Sequence, residues 1–192
     1  MSRRRTGAGL RRRLSRTLDV IVARDPSVRS RGGALLHPTV LTLTGHRVSH
    51  FLYRHGRHHT ARLVSLVTKV VTGGIEVHPG ARIGRRFFID HGAGTVIGET
   101  AVIGDDVSLF HQVTLGSVGW WHDRARPEGG DAQGRRHPRL CDGVTVGAGA
   151  TILGPVTIGN DALIGAMALV TSDVPKGAHV RAPLAEVHRT EG

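Results

Sequence analysis

Cysteine is nearly missing from this chain. Cys141 is the only one in 192 residues, which excludes an intrachain disulfide framework and a cysteine-rich metal site. It reads as buried filler or inert surface rather than as an acyl carrier. Aromatic residues make up 4%, so a core has to come from short aliphatic side chains. No apolar run approaches the ~18 residues of a membrane span. The basic start is not followed by an apolar signal core with a small-residue cleavage site, so the chain reads as cytoplasmic, with no membrane partner. Lysine is scarce: of 26 cationic residues all but Lys69 and Lys176 are arginine, and 15 acidic residues leave a formal charge of +11. Arg3, Arg4, Arg5, Arg11, Arg12, Arg13 and Arg16 crowd the start. No aromatic residues interleave with them, so they read as a solvated terminus and not as a nucleic-acid arm. Charge of this sign would still draw in anionic ligands.

What the chain does have is a period of six. Leu140, Val146, Ile152, Ile158, Ile164 and Val170 form one series, Ile97, Ile103, Leu109 and Leu115 another, and Val77, Ile83 and Ile89 a third. A mostly small residue follows four places after each anchor, as at Ala101, Val107, Ala150, Val156, Ala162 and Ala168. Six fits neither a helix of 3.6 residues per turn nor simple strand alternation. It is the signature of a parallel β-helix built from hexapeptides. Three hexapeptides make one triangular coil, and stacked coils lie about 4.8 Å apart. Many of the 27 glycines fall in these repeats, where tight corners suit a residue without Cβ. The pattern does not set the hand of the coil, and the general crossover rule favours a right-handed path.

The expected organisation has three parts. Residues 1–74 form a basic arm and a helical domain. Leu10, Leu14, Leu18 and Ile21 recur at helical spacing, Asp25-Pro26 reads as an N-cap with proline in the next first turn, and Gly73-Gly74 reads as a helix stop. Residues 75–176 form the β-helix, with a register slip of two residues between Ile89 and Ile97. A long loop, 117–136, interrupts it and carries Trp120-Trp121; such loops are usually functional. Residues 177–192 form a non-repetitive tail.

Thirteen histidines are too many for each to do chemistry. Position singles out two. His91 lies beside the register slip in Asp90-His91-Gly92, and His137 lies where the long loop rejoins the coil in Arg136-His137-Pro138. Glu76 precedes His91 by nearly one coil, so the two could meet on adjacent coils. A carboxylate beside an imidazole fixes its tautomer and stabilises the imidazolium formed on proton abstraction. His111 reads as structural.

The segments Ile75–Gly80, Ile83–Gly92, Val96–Ala101, Val113–Gly116, Arg136–Pro138 and Val146–Ala150, in this order, resemble serine O-acetyltransferase, of the hexapeptide acyltransferase superfamily. The likeness covers roughly 20–176 and includes Arg24-Asp25-Pro26. It implies a mainly β fold, a left-handed parallel β-helix preceded by a small α-helical domain. It implies acetyl transfer from acetyl-CoA, a co-substrate and not a resident cofactor, to the hydroxyl of L-serine, giving O-acetyl-L-serine for cysteine synthesis. By matching positions, His91 is the general base, Glu76 its partner, and His137 assists. Asp25 and Asp90 hold the substrate ammonium and Arg136 its carboxylate. The pantetheine arm passes Gly116, Ala148 and Ala166, and no metal is implied. Sites of this family lie between chains of a homotrimer, which can pair into a dimer of trimers.

The chain departs from the family in two places. The 117–136 loop is longer, and we read it as a lid on the CoA channel. Many members end in an isoleucine that docks into O-acetylserine sulfhydrylase; this sequence ends in Gly192, so that complex is not expected. Rival readings are an O-acetyltransferase for homoserine, a sugar or an antibiotic precursor, a zinc carbonic anhydrase with three convergent histidines, and a non-catalytic scaffold.

Overall fold

The computed structural model describes residues 3–118 and 134–185. Four helices come first: α1 (Arg3–Arg24), α2 (Arg31–Ala34), α3 (Pro38–Arg54) and α4 (His58–Val71). Fourteen short strands follow. The first coil holds β1 (Glu76–Val77), β2 (Arg82–Ile83) and β3 (Phe88–Ile89), and the second holds β4 (Val96–Ile97), β5 (Val102–Ile103) and β6 (Ser108–Leu109). The third holds β7 (Thr114–Gly116), β8 (Arg139–Leu140) and β9 (Thr145–Val146), and the fourth β10 (Thr151–Leu153), β11 (Thr157–Ile158) and β12 (Leu163–Ile164). β13 (Leu169–Val170) and β14 (His179–Val180) complete the stack.

Every strand pairs in parallel with its equivalent in the neighbouring coil. This gives a first sheet β1-β4-β7-β10-β13, a second β2-β5-β8-β11 and a third β3-β6-β9-β12-β14. The anchors of the six-residue series point inward, and Leu109, Leu115, Val146, Ile152 and Ile158 are completely buried. The small residues four places on, such as Val107, Val113, Ala150 and Ala162, fill the corners of the same core. The coils wind left-handed. The rule favouring right-handed crossovers rests on a twisted strand feeding a helix that packs back on its sheet. Here strands of two or three residues meet tight corners with no crossover helix, so that rule has no physical ground.

The helices close one end of the prism. Phe88 faces outward from β3, yet it is buried against Leu18, Val20, Ile21, Ala34 and Val40. The first coil has no strand beneath it, and hydroxyls from the helices bond its free backbone groups. Thr39 Oγ1 donates to the Ile89 carbonyl at 2.9 Å and accepts the Ile89 N–H at 3.2 Å, and Ser65 Oγ donates to the Val77 carbonyl at 2.8 Å. Capping of this kind protects the end of a repeat array. Gly45 lets α3 and α4 cross closely, since a Cβ there would lie 2.1 Å from Thr68 Oγ1.

Two expectations are corrected. Asp25 does not cap a helix. Its Oδ1 accepts from the N–H and the hydroxyl of Ser27, closing a local turn, while Ser30 caps α2 and His37 caps α3. The tail also supplies a strand, β14, paired with β12 through Leu163 and His179. Gly73 and Gly74 do end α4, both with positive φ.

Ile152→Ala should lower the unfolding free energy by about 2–5 kcal/mol, measured by urea denaturation, because a rigid stack cannot collapse onto the void. His46 is buried within α3, and burial first, then the charges of His50 and Arg47, push its pKa down to about 3. The folded chain keeps this ring neutral while the unfolded chain protonates it. Stability should therefore fall as pH drops from about 6.5 toward 3, with a slope approaching ~1.4 kcal/mol per pH unit from this group. His46→Gln should flatten that dependence in the same assay.

Candidate active site

The register slip has a plain structural form. Ile89 pairs with Leu109 and Ile97 with Leu115. The chain between Ile89 and Ile97 is therefore two residues longer than the equivalent corner above it. The extra length leaves the stack as a bulge at Asp90-His91-Gly92, closed by a 2.6 Å bond from Gly92 N to the Asp90 carbonyl. His91 takes a left-handed backbone, φ 58°, and its side chain is 77% exposed. Above it, backbone bonds from Gln112 to Ala93, Gly149 to His111 and Met167 to Ala148 align Ala93, His111, Ala148 and Ala166 in one file up the corner.

A first group of polar side chains gathers on this corner, between the third and first sheets. Asp90 Oδ1 lies 3.8 Å from His91 Nε2, and the His111 ring meets the His91 ring edge-on at 6.0 Å. Asp25 and His37 reach the same place from the helices. His37 Nδ1 accepts the N–H of Thr39 at 3.2 Å as the cap of α3, which leaves the ring proton on Nε2, 3.5 Å from Asp25 Oδ2. Burial lowers the His37 pKa against the opposing pull of Asp25 and Asp90, so the ring is neutral. Bonds from Ser27 hold the Asp25 carboxyl below its ordinary range. One potential ligand atom each from Asp25, His37 and Asp90 lies within 4.8 Å of the others. The two carboxylates can accept a cation such as an ammonium group, while His37, with Nδ1 taken by Thr39 and its Nε2–H turned to Asp25, steadies one of them.

A second group occupies the corner between the first and second sheets. Glu99 accepts from the Tyr53 hydroxyl at 2.6 Å and from Arg136 Nη2 at 2.7 Å. The Tyr53 bond is the main cause that lowers the Glu99 pKa and raises that of Tyr53. Thr100 Oγ1 accepts the N–H groups of Arg136 and His137 at 2.8 and 3.0 Å and donates to His137 Nδ1 at 2.8 Å. The Thr100 N–H also points at Nδ1, at 3.2 Å. An Nδ1 with two donors carries no hydrogen, so His137 holds its proton on Nε2. Burial, then Arg136, lowers the His137 pKa, which makes the ring a neutral N–H donor. The ring fits because residue 98 is glycine: a Cβ there would lie 1.9 Å from His137 Cδ2.

The sequence-derived site residues thus divide between two edges of the prism. Asp25, Asp90 and His91 share the first corner, with Ala148 and Ala166 in its file. Arg136 and His137 share the second, and Gly116 ends β7 beside it. Glu76 does not touch His91 within the chain: its carboxylate holds Lys69 at 2.6 Å, and its charge acts on His78 together with that of Glu99. Gly134, Arg135 and Arg136 are described, but residues 119–133, with Trp120-Trp121 and most of the supposed lid, lie outside the described residues. Sequence reasoning missed His37, Tyr53, Glu99 and Thr100. The Gly-Glu-Thr-Ala segment was the available signal for the last two. No spacing rule connects it to Arg136 across a loop.

Gly98→Ala should drive the His137 ring from its slot, and Thr100→Val should let its proton distribute over both nitrogens. Nitrogen NMR of the ring checks this, with a single Nε2-protonated form expected in the wild type and in Thr100→Ser.

Known proteins resemble this chain in sequence and in fold. Residues 137–172 match the family model for the bacterial transferase hexapeptide, six repeats. A serine acetyltransferase of Helicobacter pylori is 44% identical over 166 residues, covering 86% of this chain and 90% of the relative. One from Mycobacterium tuberculosis is 46% identical over 144 residues, 75% of this chain and 58% of the relative. Among solved structures, Neisseria gonorrhoeae serine acetyltransferase in complex with serine superposes with a TM-score of 0.80 at 36% identity, over 94% of this chain and 69% of that one. The Brucella abortus enzyme in complex with coenzyme A gives 0.80 at 31% identity, over 93% and 68%. The Entamoeba histolytica isoform 3 in complex with cysteine gives 0.82 at 33%, over 96% and 62%. With the repeat, both histidine corners and this coverage in hand, the chain belongs to the serine acetyltransferase family of hexapeptide acyltransferases.

Proposed function

We propose that this chain moves an acetyl group from acetyl-CoA to the hydroxyl of L-serine, at a site shared by neighbouring copies. The observation that carries this is the division of the polar groups between two corners. Six extended residues, at most about 20 Å, separate the corners along a coil, too far for one small amino acid to touch both within a chain. Each corner holds half of what an amino acid needs. The Asp25 and Asp90 carboxylates suit an ammonium, and the uncharged His37 beside them adds no opposing charge. Arg136 and the Nε2–H of His137 suit a carboxylate, whose geometry a guanidinium matches with two bonds. Association of copies side by side would bring unlike corners together. The first sheet's outer face supports such packing, since Val96 and Leu169 on it are exposed at 37% and 66%, and Met167 at the adjoining corner at 73%. A homotrimer closes such contacts in a ring.

In this reading His91 takes the serine proton as the hydroxyl oxygen attacks the thioester carbonyl. The C–S bond breaks as the tetrahedral intermediate collapses, and the imidazolium returns the proton to the departing thiolate. Glu76 of the neighbouring copy exchanges Lys69 for that imidazolium and stabilises it. Backbone donors stabilise the oxyanion. The files of Ala148 and Ala166 on one copy and Gly116 on the next leave room for the pantetheine arm. No described helix is long and apolar enough to cross a membrane, which fits a cytoplasmic enzyme with soluble substrates. Arrangement of the clamp around both an ammonium and a carboxylate favours an amino acid over a sugar or an antibiotic precursor.

Thiol release from acetyl-CoA tests this with serine, homoserine and a sugar as acceptors. Serine should be preferred, and His91→Ala should lose about 10²–10⁴-fold in kcat, while Arg136→Gln should mainly raise the serine KM. Wild-type turnover in His91→Ala would overturn the assignment.

A further inference from the structure

The third corner of the prism, between the second and third sheets, carries none of these groups. Beside it lies a cavity of about 1230 Å³, bounded by α1, α3 and the first coil from Ala81 to Phe87. Seven arginines line it: Arg13 and Arg16 from α1, Arg47 and Arg54 from α3, and Arg82, Arg85 and Arg86 from the first coil. Among the described residues the guanidinium groups of Arg13, Arg16, Arg47, Arg54 and Arg82 make no ion pair or hydrogen bond, though the charge of Arg16 acts on Asp105. By contrast Arg24 and Arg31 of the helical end pair with Asp106 and Asp19, and Arg85 and Arg86 at the cavity's edge pair with Asp105 and Asp106. The nearby carboxylates, Asp105 and Asp106, are already held by Arg85, Arg86 and Arg24.

Guanidinium groups that converge without counter-charge repel one another and lose hydration, at a cost that an incoming anion offsets. Arg47 displays this directly, since burial and then the charge of Arg13 lower its pKa. His46 adds a neutral polar group to the cavity lining. It is 6% exposed, and its Nδ1 has no hydrogen-bond partner among the described residues. Phe51, its ring tilted against that of His55 at 4.2 Å, supplies an apolar rim. The volume suits a molecule of nucleotide size. The cations reach in from three elements around a hollow, instead of lying along a stripe as a nucleic-acid track would.

We propose that this cavity is a second ligand site, which takes a small anion with two or more linked phosphates through Arg13, Arg47, Arg54 and Arg82. The anion bridges α1, α3 and the first coil, and so fastens the helical cap to the solenoid. The site is separate from the two catalytic corners, and the proposal does not rest on the acetyl-transfer reading.

Isothermal titration of the full-length protein with sodium tripolyphosphate, at fixed ionic strength and with CoA present to fill any diphosphate site elsewhere, tests it. ATP in place of tripolyphosphate distinguishes a nucleotide from the bare anion. Binding should weaken at least tenfold in Arg54→Gln/Arg82→Gln, two exposed positions whose change leaves the core intact, and in Arg47→Gln. It should change less than twofold in Arg181→Gln, and thiol release should be unaltered in the Arg54/Arg82 variant. The ligand should also raise the wild-type melting temperature, and this gain should vanish in the double variant. Absence of binding, or equal binding by all variants, overturns the proposal. So does binding that appears only with single-stranded RNA and grows with its length, which would assign the arginines to nucleic acid.

Discussion

A residue added to one coil of this prism cannot be absorbed by a strand. Each strand bonds to the same place in the coils on either side, and a one-residue slip would turn its aliphatic side chain out and a polar one in. The register therefore has to be recovered within a corner. The two extra residues before Ile97 leave the stack at Asp90-His91-Gly92, and after the insertion that follows β7, β8 still pairs Leu140 with Ile103. His91 and the Arg136-His137 pair both stand where the repeat is broken. The regularity of the core forces irregular chain to the edges, where it is accessible and firmly anchored at both ends.

The open end of the solenoid imposes the second constraint. Unpaired backbone groups of β1 and β3 would invite further strands. Thr39 and Ser65 bond them, and Phe88 is covered by α1, α2 and α3. The same helices deliver Asp25 and His37 to the first corner and Tyr53 to the second. The cap is thus both a stopper and the source of part of each polar group. Arg24 ties α1 to the Asp106 and Ser108 side chains of the second coil. Arg13, Arg16, Arg47, Arg54 and Arg82, whose guanidinium groups find no such partner among the described residues, gather around the cavity.

Both corner histidines are set by backbone as much as by side chains. His37 receives the N–H of Thr39, and His137 receives the Thr100 N–H and hydroxyl. In each ring Nδ1 is occupied, Nε2 keeps the hydrogen, and burial opposes protonation. Neutral rings with an assigned donor are suited to orient a substrate. His91, by contrast, is exposed on its bulge.

The six-residue series by itself determined the coils, the inward anchors and the corner fillers, because a stacked prism makes the same demand at every turn. It also placed His91 beside a register slip, since a break in a strict period is visible without coordinates, and the Gly73-Gly74 stop needed only local backbone freedom. Asp25 misled as a helix cap because Asp-Pro at a helix start and Asp-Pro-Ser in a closed turn look alike in sequence; the Ser27 bonds decide between them. The strand formed by His179 and Val180 was hidden because its partner lies a coil away and the repeat had already lapsed. Only tertiary structure brought Glu99 and Thr100 to Arg136 and His137 across the loop, set Glu76 on Lys69, and divided the candidate residues between two corners. Those relations depend on the path of the chain around three sides of a triangle, and a linear period records distance along that path but not which side faces which neighbour.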